Sequence, residues 1–244
     1  MLTGPHFSAD ATANAAARNL WDRFEQTRTR IASAALRYGR SADSVGLVAV
    51  SKTQPAERIR TLADCGQRDF GENYLQEALQ KIATLADPEL TWHFIGQIQT
   101  NKTRPIAENF HWVHTLDRER IAVRLHEQRP HYSPPLNICI QVRLADEPGK
   151  GGVAPAELSS LAHRIRELPR LHLRGLMCIP PPRESFEEQQ AVFAQLAGHQ
   201  QALIGEGFAL DTLSMGMSMD LEAAIAAGAT WVRIGTAIFG ERPA

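Results

Sequence analysis

Lys52 closes the apolar run Val48-Ala49-Val50-Ser51. An amine at the end of such a run can be desolvated enough to attack a carbonyl carbon; the same residue also fits a strand-end lysine turned to water, and position alone does not separate the two. Far along the chain, Thr212-Leu213-Ser214-Met215-Gly216-Met217-Ser218 carries small hydroxyl and glycine residues off a strand. A helix is expected to open at Met219, with its N-terminal amides facing the loop as they would face an anion. Gly235-Thr236-Ala237 leaves the last strand in the same style. Each segment by itself is an ordinary strand-to-helix turn with a capping hydroxyl, but together they read as a phosphate cup. A lysine beside such a cup points to a phosphorylated aldehyde or ketone. Arg233 lies between Val232 and Ile234, and an interior arginine needs a partner. A ring nitrogen is one choice, which the guanidinium would leave unprotonated and so weaken as an electron sink. A carboxylate such as Asp220 or Glu222 is the other. His93 and His114 are read as single core histidines, and His111 and His114 diverge on a strand, so no metal site is expected.

These residues need a scaffold that gathers them. Leu20, Phe24, Ile31 and Ala35 recur at helical spacing until Tyr38-Gly39, which predicts a leading helix. Residues 1–19 are expected to be flexible or partly helical. From Val45 onward short apolar runs alternate with amphipathic stretches. Strands are expected at Val45–Ser51, Asp69–Gly71, Thr91–Gly96, Trp112–Leu116, Leu136–Leu144, Leu173–Ile179, Thr212–Met215 and Trp231–Ile234. Helices are expected at Pro55–Cys65, Tyr74–Leu85, Lys102–Ala107, Arg118–Gln128, Pro155–Leu168, Phe186–Gly205 and Met219–Ala227. The fully apolar runs suit parallel strands covered on both faces. Eight such units without a glycine fingerprint after the first strand favour a closed barrel over an open doubly wound sheet. The expected fold is thus α/β, a single (β/α)8 TIM-type barrel over residues 1–244 with an extra N-terminal helix. Closure would set the eighth strand beside the first, and with it the cup beside Lys52. Strand C-termini carry the active face of such barrels.

Composition narrows the function. The 26 basic residues against 27 acidic ones, net charge −1, provide no field to hold a nucleic acid. No apolar run reaches bilayer length, and Met1 to Asn19 shows no charged start followed by an apolar stretch, so neither a membrane span nor a secretion signal is expected. Cys65, Cys139 and Cys178 are odd in number and sit in apolar surroundings, as reduced thiols of a cytoplasmic protein do.

From Leu47 to Gly240 the chain closely resembles the pyridoxal 5′-phosphate (PLP) homeostasis proteins. The resemblance runs through Val50-Ser51-Lys52-Thr53, Phe70 to Tyr74, Leu173 to Met177, Leu213 to Ser218 and Val232 to Gly240, and most specifically through Trp92 to Lys102. It implies a barrel similar to the N-terminal domain of alanine racemase, of fold type III among PLP-binding proteins, with PLP as a Schiff base on Lys52. It also implies Asn73 near the cofactor ring, Met177 against it and Arg233 near the pyridine nitrogen. Ser214, Gly216, Ser218, Gly235 and Thr236 would form the phosphate end. Gln54 stands where bacterial relatives often carry a second lysine. Lys150, in the segment Pro148 to Gly152, aligns with a loop lysine of relatives and also fits a solvated loop charge.

Two functions fit. One is a non-catalytic carrier, with no catalytic residues, that buffers PLP or delivers it to apo PLP-dependent enzymes. The other is an amino-acid racemase; a PLP-free Schiff-base aldolase acting through Lys52 is a weaker third. Racemisation needs a second base, which two-domain racemases take from a C-terminal β-domain. The sequence ends at Ala244 soon after the eighth strand, and among Tyr38, Tyr74 and Tyr132 only Tyr74 is expected near the mouth. The expectation is therefore a monomeric carrier.

Overall fold

The computed structural model describes residues 11–145 and 151–241, with side chains described from residue 15 onward. Helix α1 (Ala11–Arg37) precedes the repeated units. Its buried residues Leu20, Phe24, Ile31, Ala34 and Ala35 recur three, four and seven apart, so one apolar stripe faces the barrel. Gly39, at φ 71°, ends the helix with Arg40 N–H on the Ala35 carbonyl. Arg40 then donates to the carbonyls of Ile225 and Ala229 and fastens this end near the eighth strand.

Eight strands follow: β1 (Gly46–Val50), β2 (Asp69–Glu72), β3 (Thr91–Phe94), β4 (Trp112–Leu116), β5 (Leu136–Gln141), β6 (Leu171–Met177), β7 (Thr212–Ser214) and β8 (Trp231–Ile234). They are parallel and close in sequence order. Closure is made by β8 on β1, with Gly46 opposite Trp231 and Ala49 opposite Ile234. Between them run α2 (Ala56–Asp64), α3 (Leu75–Leu85), α4 (Thr103–Asn109), α5 (Glu119–Gln128), α6 (Leu158–Arg166), α7 (Phe186–Gly205) and α8 (Leu221–Ala226), and α9 (Thr236–Phe239) follows β8. The TIM-type barrel with its leading helix is the fold expected from the strand and helix periodicities.

Several bounds differ from the sequence expectation. β6 begins at Leu171, because the exposed His172 and the half-buried Arg174 alternate with buried Leu171 and Leu173 and hide the run. β5 stops at Gln141, beyond which Val142 pairs with Val153 as a single bridge. The helix expected to open at Met219 begins at Leu221, after Met217 N–H bonds the Asp220 carboxylate at 2.5 Å. Lys150 falls outside the described residues.

Strand residues alternate between two environments, as the pleat requires. Phe70, Trp92, Phe94, Val113, Ile138, Leu213 and Val232 join one large apolar layer beneath the helices. Their neighbours turn inward, where Trp112, Cys139 and Met177 form a separate small cluster beside His93, His114, Ser214 and Arg233, all buried.

Candidate functional site

A cavity of about 380 Å³ opens at the C-terminal ends of the strands. Lys52, Asn73, Ser218, Arg233, Gly235 and Thr236 all line it, so six of the nine residues singled out in the sequence share one wall. Met177, Ser214 and Gly216 do not reach it. Met177 is fully buried in the lumen against Trp112 and Cys139. Gly216 sits beneath the cup at φ 94°, where a Cβ would come within 2.6 Å of the Ala224 side chain, so only glycine makes this bend. Ser214 points into the barrel, its hydroxyl 2.6 Å from His114 Nδ1 and 2.7 Å from Arg233 Nη1.

Lys52 leaves β1 on a turn closed by Gln54 N–H on the Ser51 carbonyl. Thr53 follows in the left-handed region at φ 63°, a conformation that costs a non-glycine residue about 1–2 kcal/mol. A buried ion cluster holds the turn. Lys81, on the buried face of α3, donates to the Ser51 carbonyl at 2.7 Å, to Glu72 at 2.8 Å and to Glu77. Glu77 in turn accepts from Thr53 N–H at 2.6 Å, and Ser51 Oγ donates to Glu72 at 2.6 Å. Burial pushes the Glu72 carboxyl up, against the pull of Lys81 and Ser51. Lys81 was not singled out from the sequence. The available signal was a lysine within the stripe Leu75, Ala78, Lys81, Leu85, every member of which is buried.

The cup differs from the one expected. With α8 only six residues long and starting later, the loops after β7 and β8 meet directly, Ala237 N–H donating to Ser218 Oγ at 3.3 Å. Asp220 also lines the cavity; its carboxyl is pushed up by burial and drawn back by Met217 N–H and the Arg233 charge. Arg233 pairs with neither proposed carboxylate: it donates to Ser214 Oγ and, at 2.9 Å, to the Cys178 carbonyl. Glu222 instead pairs with Arg30 at 2.8 Å. Asn73 carries a buried Oδ1 with no hydrogen-bond partner among the described residues. Its backbone passes so close to Gly96 that a Cβ there would lie 2.1 Å from the Asn73 carbonyl oxygen.

Gln54 is buried and accepts from Arg58 at 2.5 Å. None of the three tyrosines lines the cavity; Tyr74 caps α3 and is exposed, Tyr38 stacks on Phe186, and Tyr132 is exposed. Arg183 and Gln189, not anticipated, line the outer wall, where Gln189 Nε2 donates to the Arg183 carbonyl. His93 and His114 are not separate core histidines but hydrogen-bonded to each other at 2.9 Å. Among the described residues there is no group of metal-ligating side chains and no helix long and apolar enough to cross a membrane.

A family model described as alanine racemase, N-terminal domain, matches residues 30–243. The pyridoxal phosphate homeostasis protein of Pseudomonas aeruginosa is 59% identical over 213 residues, 87% of this chain and 91% of that one. The protein of the same name from Escherichia coli K12 is 53% identical over 220 residues, 89% of this chain and 94% of that one. Among solved structures, PipY of Synechococcus elongatus with PLP bound superposes with a TM-score of 0.81 at 38% identity, covering 91% of this chain and all of that one.

Proposed function

The chain belongs to the alanine racemase N-terminal-domain family, and from that premise we propose that it is a PLP-binding homeostasis protein that holds the cofactor on Lys52 and performs no turnover of its own. The observation that carries this reading is the single cavity lined by an amine, a guanidinium, the two cup loops and an unsatisfied amide oxygen. Its volume suits a small cofactor, and the orphaned Asn73 Oδ1 is a buried acceptor that a ligand can satisfy.

In this reading Lys52 supplies the amine for a reversible Schiff base. When bound, PLP brings an aldehyde and a heteroaromatic ring that can act as an electron sink. Ser218, Gly235 and Thr236 bind its phosphate, while Arg233, a donor only, faces an unprotonated ring nitrogen and limits that sink. Asn73 orients the ring. Met177, Ser214 and Gly216 act from beneath, by packing and by holding Arg233 and the cup. The lack of a tyrosine on the cavity wall favours the carrier over a two-base racemase. We take the carrier to work as a cytoplasmic monomer that passes PLP to apo-enzymes.

Adding PLP to the purified protein should produce an absorbance band distinct from that of the free cofactor. Borohydride reduction should then fix the cofactor mass on the peptide containing Lys52. Lys52→Ala should lose both signals; a band that survives this substitution unchanged removes Lys52 as the anchor. Incubation of the loaded protein with L-alanine in deuterated water should leave the substrate's chirality intact, and racemised product would overturn the carrier reading.

A further inference from the structure

His93, His114 and Ser214 come from three strands, the two histidines 21 residues apart and the serine 100 further on. Their side chains nonetheless form one column through the lumen. At the floor, His93 Nε2 lies 2.9 Å from Asp69 Oδ1. His93 Nδ1 meets His114 Nε2 at 2.9 Å, His114 Nδ1 meets Ser214 Oγ at 2.6 Å, and Ser214 Oγ accepts from Arg233 Nη1 at 2.7 Å. Asp69 borders a cleft of about 740 Å³ beneath the barrel, between α1 and the strand N-termini, whereas Arg233 lines the cavity at the mouth. The column therefore joins the two ends of the barrel.

Its chemistry admits one direction. A carboxylate can only accept, so with both rings neutral the direction is set from Asp69, and Ser214, which accepts from Arg233 Nη1, gives its hydrogen to His114 Nδ1. His114 then carries its proton on Nε2 and gives it to His93 Nδ1, and His93 carries its proton on Nε2 and gives it to Asp69. Each ring has one donor and one acceptor nitrogen, as a neutral imidazole requires. Burial disfavours the charged form of both rings, and the Arg233 charge further disfavours it on His114.

We infer that Asp69, His93, His114 and Ser214 are positioning residues, a one-way hydrogen-bond chain that fixes the Arg233 guanidinium towards the ring-nitrogen end of the PLP site. This rests on the reading of the mouth cavity given above. The chain commits the Ser214 hydrogen to His114, which removes it from any phosphate contact. The Cys178 carbonyl anchors the other guanidinium nitrogen at 2.9 Å, so Arg233 is held at two points and aimed from the floor of the barrel.

Side-chain nitrogen NMR of histidine-labelled protein without PLP tests the chain directly. Both His93 and His114 should appear as neutral Nε2–H tautomers; either ring found as the Nδ1–H form or as a cation at neutral pH overturns the inference. Asp69→Leu removes the terminal acceptor and should mix the tautomers. In the PLP-loaded protein it should also shift the absorbance maximum and weaken PLP binding about five- to tenfold, the scale of one lost hydrogen bond. Asp69→Asn, which retains an acceptor oxygen, should restore the wild-type pattern. Ser214→Ala cuts the chain at its other end with little change in volume, and so decides the matter if Asp69→Leu does not fold. Wild-type tautomers and affinity in the cut variants would sink the proposal. Failure of the wild-type protein to bind PLP would instead count against the mouth reading, with the spectra of the unloaded protein still deciding the chain.

Discussion

Between strands and helices, Phe24, Phe70, Phe94, Phe110, Phe193, Ile121 and Leu125 belong to one continuous apolar layer. Inside the barrel, by contrast, the clustered apolar residues are Trp112, Cys139 and Met177, set among Asp69, His93, His114, Ser214 and Arg233. Barrels of this type commonly fill the lumen with layers of Val, Ile and Leu. Here the floor is stacked aromatics, His93 on Trp112 at 5.7 Å and Trp231 at 5.4 Å from His93, with the Arg174 guanidinium 5.0 Å over Trp112. The outer layer is held by burial, which has no direction and tolerates changes of shape. The lumen is held by hydrogen bonds whose partners are individually required, since an unpaired buried polar group is costly. Stability thus resides mainly outside the strands, and the directional control of the mouth resides within them.

The sharpest test of the outer layer is Phe193→Ala, which empties a fully buried ring site on α7. It should cost about 3–5 kcal/mol, seen as a lower urea midpoint at unchanged slope, while the remaining folded protein keeps its PLP absorbance band. A change in that band would break the separation between the two regions.

Lys81→Met comes next. It strips the cation from Glu72, whose second oxygen already lacks a partner among the described residues. Removing one partner of a buried pair costs about 3 kcal/mol. Because the same cation holds the Ser51–Thr53 turn, PLP affinity should fall together with stability, unlike in Phe193→Ala. Loss of stability with unaltered affinity would show that the turn holds itself.

The smallest effect is set by pH. His93 and His114 are lowered by burial, so below about pH 6.5 the unfolded chain takes up protons that the folded chain refuses. Stability should therefore decline as pH falls through that range, by up to about 1.4 kcal/mol per pH unit for each histidine. Urea titrations at neutral and mildly acidic pH measure the slope, and His114→Asn should flatten it. An equal slope in that variant would remove His114 as a source of the acid sensitivity.

The period of the apolar runs was enough to predict eight strands, their closure and the meeting of Lys52 with Ser218, Gly235 and Thr236, because strand C-termini in a parallel barrel share one face. Lys81 escaped notice because a lysine in an apolar stripe reads as a blemish until its three acceptors arrive from the turn after β1, from β2 and from α3 itself. The helix after β7 was placed early because Ser218 and Asp220 both have capping side chains and the sequence does not choose between them. The aspartate's bond to Met217 N–H decides it.

A period of two assigns residues to faces, and so the sequence alone determined that His93, His114, Ser214 and Arg233 lie inside strands and that Lys52 ends one. It does not determine which inward residues meet. That depends on strand stagger and on the distance across a closed lumen, so the contacts joining Asp69 to His93, His114, Ser214 and Arg233 exist only in three dimensions. Hydrogen bonds between groups from different strands are fixed to fractions of an ångström by the barrel as a whole, and no local run of residues encodes that distance.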